Sequence, residues 1–280
     1  MSNTLTRAIL ATLTYSDHFH FPLTKDELYH RLIEHKTTPS ELNIALKKLV
    51  SARKIVQTNN YYCLPGQSIL VKQRKLYQSM SKPLLVYTQS LLPILIKIKN
   101  IKAIYLTGSL ALSNTDGHDD IDLMIVVENG KLWTTRALLT LFTSFLSLRR
   151  SPRANNPMGK LCLNLYLTPK AFRLPSSRRS LYTAYELIQA VPLYDPHNTR
   201  LQLLASNSWL KDYLPNSPVS KFSKPPIPPT RYSIIENIFY YLQRLYMSGK
   251  ITREYITRDA AFFHPNNPGK KVLKKLENVK

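Results

Sequence analysis

The chain has few of the residues that build cysteine-rich sites. Only two of its 280 residues are cysteines, Cys63 and Cys162, and they lie far apart in apolar, strand-like segments. A disulfide framework or a cysteine-based metal site needs several cysteines at short, regular spacings. We therefore predict two reduced thiols in a reducing compartment, which pack as small hydrophobic side chains and form neither a disulfide nor a metal pair.

Acidic residues are also scarce. The chain carries 17 acidic and 39 basic side chains, so its formal net charge at pH 7 is +22. An excess of this size repels itself in a compact fold, which favours a polyanionic partner such as DNA or RNA. A lysine-rich composition common to all proteins of one organism would give the same number, and the charge alone leaves both explanations open.

Long hydrophobic runs and a recognisable export signal are missing as well. The chain begins MSNTLTR, without a basic segment followed by an apolar one, and we expect a cytoplasmic location. The most apolar segment, residues 132–148, is short for a bilayer span and is interrupted by Arg136 and by several Thr and Ser. It predicts a buried helix, and no membrane span is expected.

Residues 1–66 carry the signals of a small helical domain that closes with a hairpin. Thr24 with Glu27 and Thr38 with Glu41 form two capping boxes, each followed by apolar residues at helical spacing. Two short strands then flank Asn59-Asn60, a pair that accepts a tight turn. Three helices and a hairpin in this order resemble a winged helix-turn-helix domain in their general pattern.

The third helix and the approach to the hairpin are candidates for contact with nucleic acid. They would expose Asn43, Lys47, Lys48 and Arg53, whose side chains suit hydrogen bonds and ion pairs with phosphates. Domains of this pattern also serve as docking or purely structural units, so DNA binding and docking both remain open.

The rest of the chain predicts an α/β core between two helical segments. Hydrophobic patterning gives strands at 103–106, 121–127 and 161–167, with helices between and after them. We expect a small mixed sheet flanked by helices and a helical C-terminal extension. The predicted divisions are a winged-helix-like domain (1–66), a connecting helix that Pro83 could break (67–99), the α/β domain (100–214), a proline-rich linker (215–231) and a helical region with a basic tail (232–280).

The stretch from Thr107 to Asp122 carries the chemistry. A buried strand ends in Thr107-Gly108-Ser109, where a glycine lets the backbone approach a bound group and free N–H groups can face an anion. Ten residues (110–119) follow Ser109, and then Asp120 and Asp122 lie two apart on the next strand, so both carboxylates project from one face. Two such charges repel unless a cation lies between them, and Mg²⁺ shared with phosphate oxygens is the usual solution.

This spacing resembles the signature of the DNA polymerase beta-like nucleotidyltransferase superfamily, over about a third of the chain, roughly residues 100–200. That signature is a hydrophobic residue, Gly and Gly or Ser, then about ten residues, then two acids that alternate with hydrophobic residues. The resemblance implies that Thr107, Gly108 and Ser109 bind the phosphates of a nucleoside triphosphate (NTP). It also implies that Asp120 and Asp122 hold Mg²⁺ or Mn²⁺ as catalytic metal ligands.

One position departs from the family pattern. Many members carry a third carboxylate on the following strand, and the best-aligned residue here is Asn164, whose amide cannot accept a proton. Asp119 and Glu186 are candidate substitutes, although each is ordinarily a solvated surface acid. Arg136 and Lys160 are candidates to reach the triphosphate, with a charge-balancing surface role as the alternative.

Three functions follow from these patterns. The first is a metal-dependent enzyme that transfers a nucleoside monophosphate from an NTP to a hydroxyl-bearing acceptor. The second, which Asn164 favours, is a DNA-binding regulator that senses nucleotide without turning it over. The third is a peripheral membrane or ribosome-associated protein that uses residues 221–280, where twelve Lys and Arg face four Asp and Glu. The sequence leaves the base, the acceptor and the oligomeric state open.

Overall fold

A computed structural model describes residues 3–150, 157–218, 230–249 and 254–263. The N-terminal part contains three helices and a small antiparallel sheet with the strand order β1-β3-β2. Its elements are α1 (Asn3–Asp17), β1 (Leu23–Thr24), α2 (Lys25–His30), α3 (Pro39–Ser51), β2 (Val56–Thr58) and β3 (Tyr61–Cys63). The predicted three helices and hairpin are confirmed, and β1 is an additional strand that no sequence pattern indicated.

Both predicted capping boxes form and fix where helices α2 and α3 begin. The Thr24 hydroxyl accepts the Glu27 N–H at 3.2 Å, while the Thr24 N–H donates to the Glu27 carboxylate at 2.9 Å. Thr38 and Glu41 repeat the arrangement at 3.2 and 2.8 Å. These reciprocal bonds satisfy backbone N–H groups that a helix N-terminus leaves free. The helices then bury a leucine-rich core among themselves.

A single helix, α4 (Ile69–Leu95), connects this part to the rest of the chain. The break suggested by Pro83 does not occur, and α4 runs through both Pro83 and Pro93. Each proline ring lies on the exposed side of the helix. Because Leu95 packs into the core of the central sheet and Arg74, near the other end of α4, bonds to Glu27 of α2, tertiary contacts outweigh the local cost of the missing N–H groups.

The central sheet has six strands in the order β7-β4-β5-β6-β9-β8, and β5 and β6 are its one parallel pair within the described residues. The strands are β4 (Ile101–Leu106), β5 (Ile121–Val127), β6 (Leu161–Leu167), β7 (Val191–Tyr194), β8 (Tyr255–Ile256) and β9 (Ala260–Phe262). The predicted bounds of β5 and β6 are confirmed. The mixed sheet flanked by helices makes this part of the molecule α/β.

Two layers of helices cover the sheet. On one face, α7 (Leu181–Gln189), α8 (Thr199–Ala205) and α9 (Leu210–Tyr213) pack against Met124, Val126 and Leu167. On the other face, α4, α6 (Leu132–Phe145) and α10 (Ile234–Ser248) pack against Leu123, Ile125 and Tyr166. The short helix α5 (Gly108–Ala111) follows β4 directly.

One sequence prediction needs correction here. Residues 199–213 form two helices, because the buried Asn207 side chain donates to the Phe172 and Leu203 carbonyl oxygens and ends α8. Residues 191–194 form an edge strand of the sheet. Residues 254–263 form the hairpin β8–β9 on the sheet rather than a further part of a helical extension.

Some predicted segments lie partly outside the described residues. The proline-rich linker at 215–231 falls largely on 219–229, and the basic tail falls on 264–280. Within the described residues, no helix combines the length and the apolar character that a bilayer span requires.

Candidate metal and nucleotide site

The turn between β4 and α5 holds Thr107, Gly108 and Ser109 against the start of β5. The Thr107 N–H donates to the Asp122 carbonyl oxygen at 2.9 Å, which extends the β4–β5 ladder by one bond. Gly108 has φ +68°, and a Cβ atom there would overlap the Asp122 carboxylate. Glycine is therefore required at this position for two reasons: the backbone is left-handed, and the Asp122 carboxylate leaves no room for a Cβ atom.

Asp120 and Asp122 share one face at the start of β5, as the spacing predicts. Cys162 is the direct register partner of Asp122 on the parallel strand β6, so its thiol projects from the same face. The two carboxylates and the thiol each offer one ligand atom, and these atoms lie within 4.8 Å of one another. The prediction that Cys162 serves only as a packing residue therefore missed its place beside the carboxylates.

Asn164 reaches this cluster because β6 carries a bulge there. The register shifts from Leu123 opposite Leu163 to Met124 opposite Leu165, which leaves Asn164 as the extra residue. Its side-chain amide donates to an Asp122 carboxylate oxygen at 2.8 Å. The Asn164 side-chain oxygen has no hydrogen-bond partner among the residues that the structure describes, although Asn164 is only 7% exposed.

Electrostatics at the cluster favour a bound cation. Burial raises the pKa of Asp122 to about 6, and the neighbouring Asp120 carboxylate adds to the shift. Burial, and after it the Asp122 charge, raises the pKa of Glu186 on α7 to about 7. Glu186 thus lies within electrostatic range of Asp122, on the helix that packs over the same face of the sheet. A cation at the cluster would relieve the repulsion at both carboxylates.

Arg150 supplies the positive charge that the site has in this state. Its guanidinium donates to an Asp120 carboxylate oxygen at 2.7 Å, with Asp120 only 15% exposed. Sequence reasoning did not single out Arg150. It stands two residues after the end of an apolar segment, in a pair of arginines, and no spacing rule relates it to Asp120.

Ser109 faces the acidic side of the site. Its hydroxyl donates to an Asp119 carboxylate oxygen at 2.6 Å, and the Asp119 carbonyl oxygen accepts the Gly159 N–H at 3.1 Å. The strand-to-helix turn and the acids are therefore together, as the phosphate-binding interpretation requires. A phosphate that uses the Ser109 hydroxyl would have to replace Asp119 as its acceptor.

Two basic candidates lie away from the carboxylates. Arg136 lies on α6 and its side chain reaches α10, where it donates a hydrogen bond to Gln243. Its guanidinium lies 4.4 Å from the centre of the Phe263 ring. Lys160 donates its ammonium to the Ser147 carbonyl oxygen at 2.7 Å. Neither residue contacts Asp120 or Asp122 in this state.

The four N-terminal candidates form a separate surface. Lys47, Lys48 and Arg53 are exposed, and Asn43 is half-buried on α3. Within the described ranges, none of the three basic residues takes part in an ion pair. Their charges are therefore free to meet an external anion.

A second basic feature is a cleft of about 620 Å³ between α2, α4 and the end of α5. Arg31, Arg74, Lys75 and Lys82 line it together with a single carboxylate, Glu27. Arg74 engages that carboxylate through both of its terminal nitrogens, at 2.8 and 2.6 Å. The cleft therefore carries a surplus of three positive charges, next to the short helix that begins with Gly108 and Ser109.

Comparisons with models of known protein families, with curated proteins and with solved structures find no match to this chain.

Proposed function

We propose that residues 100–214 form a nucleotidyltransferase-like domain that transfers a nucleoside monophosphate from an NTP to a hydroxyl-bearing acceptor. One observation carries the proposal. The turn at Gly108-Ser109 is packed onto Asp122, and the Asp120 and Asp122 carboxylates share a face with an unsatisfied amide oxygen. A phosphate-binding turn beside paired acids is the apparatus of phosphoryl chemistry.

In this proposal each group has a definite task. Backbone N–H groups of α5 and the Ser109 hydroxyl bind phosphate oxygens. Asp120 and Asp122 hold the divalent cation, which supplies charge stabilisation and alignment of the triphosphate. The acceptor oxygen forms a bond to the α-phosphorus as the bond to the leaving oxygen breaks, and pyrophosphate departs.

Glu186 is the group we assign to the acceptor proton. Asn164, at the position where family members often carry a third carboxylate, cannot accept a proton. Glu186 faces the same side of the sheet, and its pKa of about 7 lies near the usual working pH of a general base. Replacement of Glu186 by Gln should lower turnover by about 10²-fold or more while NTP binding persists.

The basic surfaces suit a phosphate-bearing acceptor. The cleft that contains Arg31, Lys75 and Lys82 abuts the end of α5, close to the phosphate-binding turn. The N-terminal part, which we infer to be winged-helix-like, would add nucleic-acid contacts through Lys47 and Lys48 on α3. We also infer a reducing, cytoplasmic setting, because both cysteines are free.

A regulator that binds nucleotide without turnover is the second candidate. Two contacts favour it: Arg150 occupies an Asp120 oxygen, and Ser109 is closed onto Asp119. Ser109 has to leave Asp119 before its hydroxyl can donate to a phosphate, and Arg150 has to release its Asp120 oxygen before that oxygen can bind a cation. If these contacts open only partly, the site would sense nucleotide rather than transfer it.

Labelling distinguishes the two candidates. The purified protein is incubated with each NTP, labelled in turn at the α- and γ-phosphate, with a divalent cation and cell extract. An enzyme transfers the α-label and not the γ-label to an acceptor, and Asp122→Asn abolishes the transfer. Saturable NTP binding without transfer supports the regulator. Absence of NTP binding under all of these conditions contradicts both.

A further inference from the structure

We propose that the cation site of this chain includes Cys162 as a ligand and is built for a borderline-soft divalent cation of the zinc class rather than for Mg²⁺. The inference rests on the proposed function, because it concerns the same carboxylates. It goes further because it names the class of cation. The class of cation can be wrong while Asp120 and Asp122 still bind a metal.

The strand register is the first step of the argument. Asp122 and Cys162 are direct partners on parallel strands, and Asp120 lies two residues before Asp122 on the same face. Their ligand atoms lie within 4.8 Å of one another. In a tetrahedral zinc site with metal–oxygen and metal–sulfur distances of about 2.1 and 2.3 Å, ligand atoms are about 3.5 Å apart. Side-chain rotations that move these atoms by about 1 Å would therefore close the site.

The second step is the unsatisfied oxygen of Asn164. This side chain is 93% buried, given its 7% exposure, and its amide is held against Asp122 by the 2.8 Å bond from its nitrogen. A buried amide oxygen without a partner costs about 1–3 kcal/mol, so its retention calls for an explanation. A cation held by Asp120, Asp122 and Cys162 would place a positive charge beside this oxygen and keep a fourth coordination position for a phosphate oxygen.

The third step is the chemistry of the donors. Mg²⁺ prefers an octahedron of oxygens and keeps several waters, whereas a thiolate favours softer ions such as Zn²⁺. Two carboxylates and a thiolate would leave a bound divalent cation with one negative charge in excess. The Arg150 guanidinium, already bonded to Asp120, balances that charge. On binding, the thiol proton is released to solvent and the sulfur–metal bond forms.

The other cysteine provides a matched control. Cys63 is buried in β3 of the N-terminal sheet, where its thiol lies 3.9 Å from the Val56 carbonyl oxygen. It belongs to no group of potential metal ligands among the described residues. A serine at position 63 therefore removes a thiol without touching the carboxylates.

Co²⁺ replaces Zn²⁺ in such sites and reports thiolate ligation through a charge-transfer absorption band. We would titrate chelator-treated, full-length protein with Co²⁺ and then displace it with Zn²⁺. The expected result is one equivalent of Co²⁺ with a thiolate band in wild type and in Cys63→Ser, and no band in Cys162→Ser. Zn²⁺ affinity should fall by about 100-fold in Cys162→Ser, while Mg²⁺ affinity changes by less than about threefold.

A thiol-reactivity measurement covers the case in which Cys162→Ser does not fold. In Cys63→Ser, the remaining thiol is Cys162, and Zn²⁺ but not Mg²⁺ should protect it from a disulfide reagent. Equal Zn²⁺ affinity of Cys162→Ser and wild type, or no protection by Zn²⁺, overturns the inference. The proposed function then still stands if Mg²⁺-dependent NTP binding is lost in Asp122→Asn. If no divalent cation binds to either protein, both the inference and the proposed function fall.

Discussion

Alanine substitutions at Gly108 and Gly66 measure how closely the backbone at Gly108 approaches the Asp122 carboxylate. Both have left-handed backbones, with φ +68° and +82°. At Gly66 a Cβ atom would meet nothing within 4 Å, whereas at Gly108 it would overlap the Asp122 carboxylate. Alanine at either position carries the same backbone penalty, and only Gly108→Ala adds the contact with Asp122.

The expected magnitudes follow from these two terms. An L-residue in the left-handed region costs about 1–2 kcal/mol, which is the full effect expected for Gly66→Ala. Forcing an extra methyl group into a packed position costs about 1–3 kcal/mol more. Gly108→Ala should therefore lower the free energy of unfolding by about 2–5 kcal/mol, and it should move the Asp122 carboxylate out of the cluster.

Urea denaturation followed by circular dichroism measures the two free energies, and calorimetry measures the affinity for divalent cations. Metal affinity should fall at least about tenfold in Gly108→Ala and stay unchanged in Gly66→Ala. A double-mutant cycle with Asp122→Ala isolates the contact between the added methyl group and the Asp122 carboxylate. Removal of the carboxylate should restore about 1–3 kcal/mol to the free energy of unfolding of the Gly108→Ala protein. Equal destabilisation by the two alanines, with no coupling to Asp122, would refute the packing of Gly108 on the carboxylate.

Three further predictions concern charge. Burial raises the pKa of Asp122 from its ordinary value near 4 to about 6, so the folded protein is most stable below about pH 4 and loses stability as the pH rises through 6. Asp122→Asn should therefore be more stable than wild type by about 3 kcal/mol at pH 8 and by less than about 1 kcal/mol at pH 4, as measured by urea denaturation at both pH values. The Glu236 carboxylate is 1% exposed and accepts hydrogen bonds from the Trp133 and Thr134 N–H groups at the start of α6. Glu236→Ala should therefore lower the free energy of unfolding by about 3 kcal/mol, measured by thermal or urea denaturation. An unchanged unfolding midpoint would contradict the role of Glu236 as the N-terminal cap of α6. Charge reversal at Lys47, Lys48 and Arg53 should weaken DNA binding. It should also reduce the slope of log binding constant against log salt concentration by about one unit per lost phosphate contact. An unchanged affinity and an unchanged slope in fluorescence anisotropy would indicate that this surface docks a protein instead.

Sequence patterns predicted those features whose causes are local. Each capping box needs only two residues three apart, and both formed at Thr24 and Thr38. The bounds of β5 and β6 followed from hydrophobic patterning, and the shared face of Asp120 and Asp122 followed from the period of a strand.

The features that sequence reasoning missed depend on pairing between distant segments. Nothing near Cys162 indicates that it lies opposite Asp122, because a parallel register is set by the whole sheet. The bulge at Asn164 turns that side chain towards the acids for the same reason. Arg150 meets Asp120 across 30 residues, and the short strands β8 and β9 have too few residues to show a period.

The affinity for NTP, with and without a divalent cation, tests the proposed metal and nucleotide site most directly. It is measured by calorimetry for wild type and for Asp122→Asn. Mg²⁺, Mn²⁺ and Zn²⁺ are used in turn, and Asp116→Asn serves as the control because Asp116 is an exposed acid in the same loop. We expect metal-dependent NTP binding that weakens at least about tenfold in Asp122→Asn and is unchanged in Asp116→Asn. Equal affinity of wild type and Asp122→Asn with every cation would contradict the assignment of a metal and nucleotide site to the start of β5.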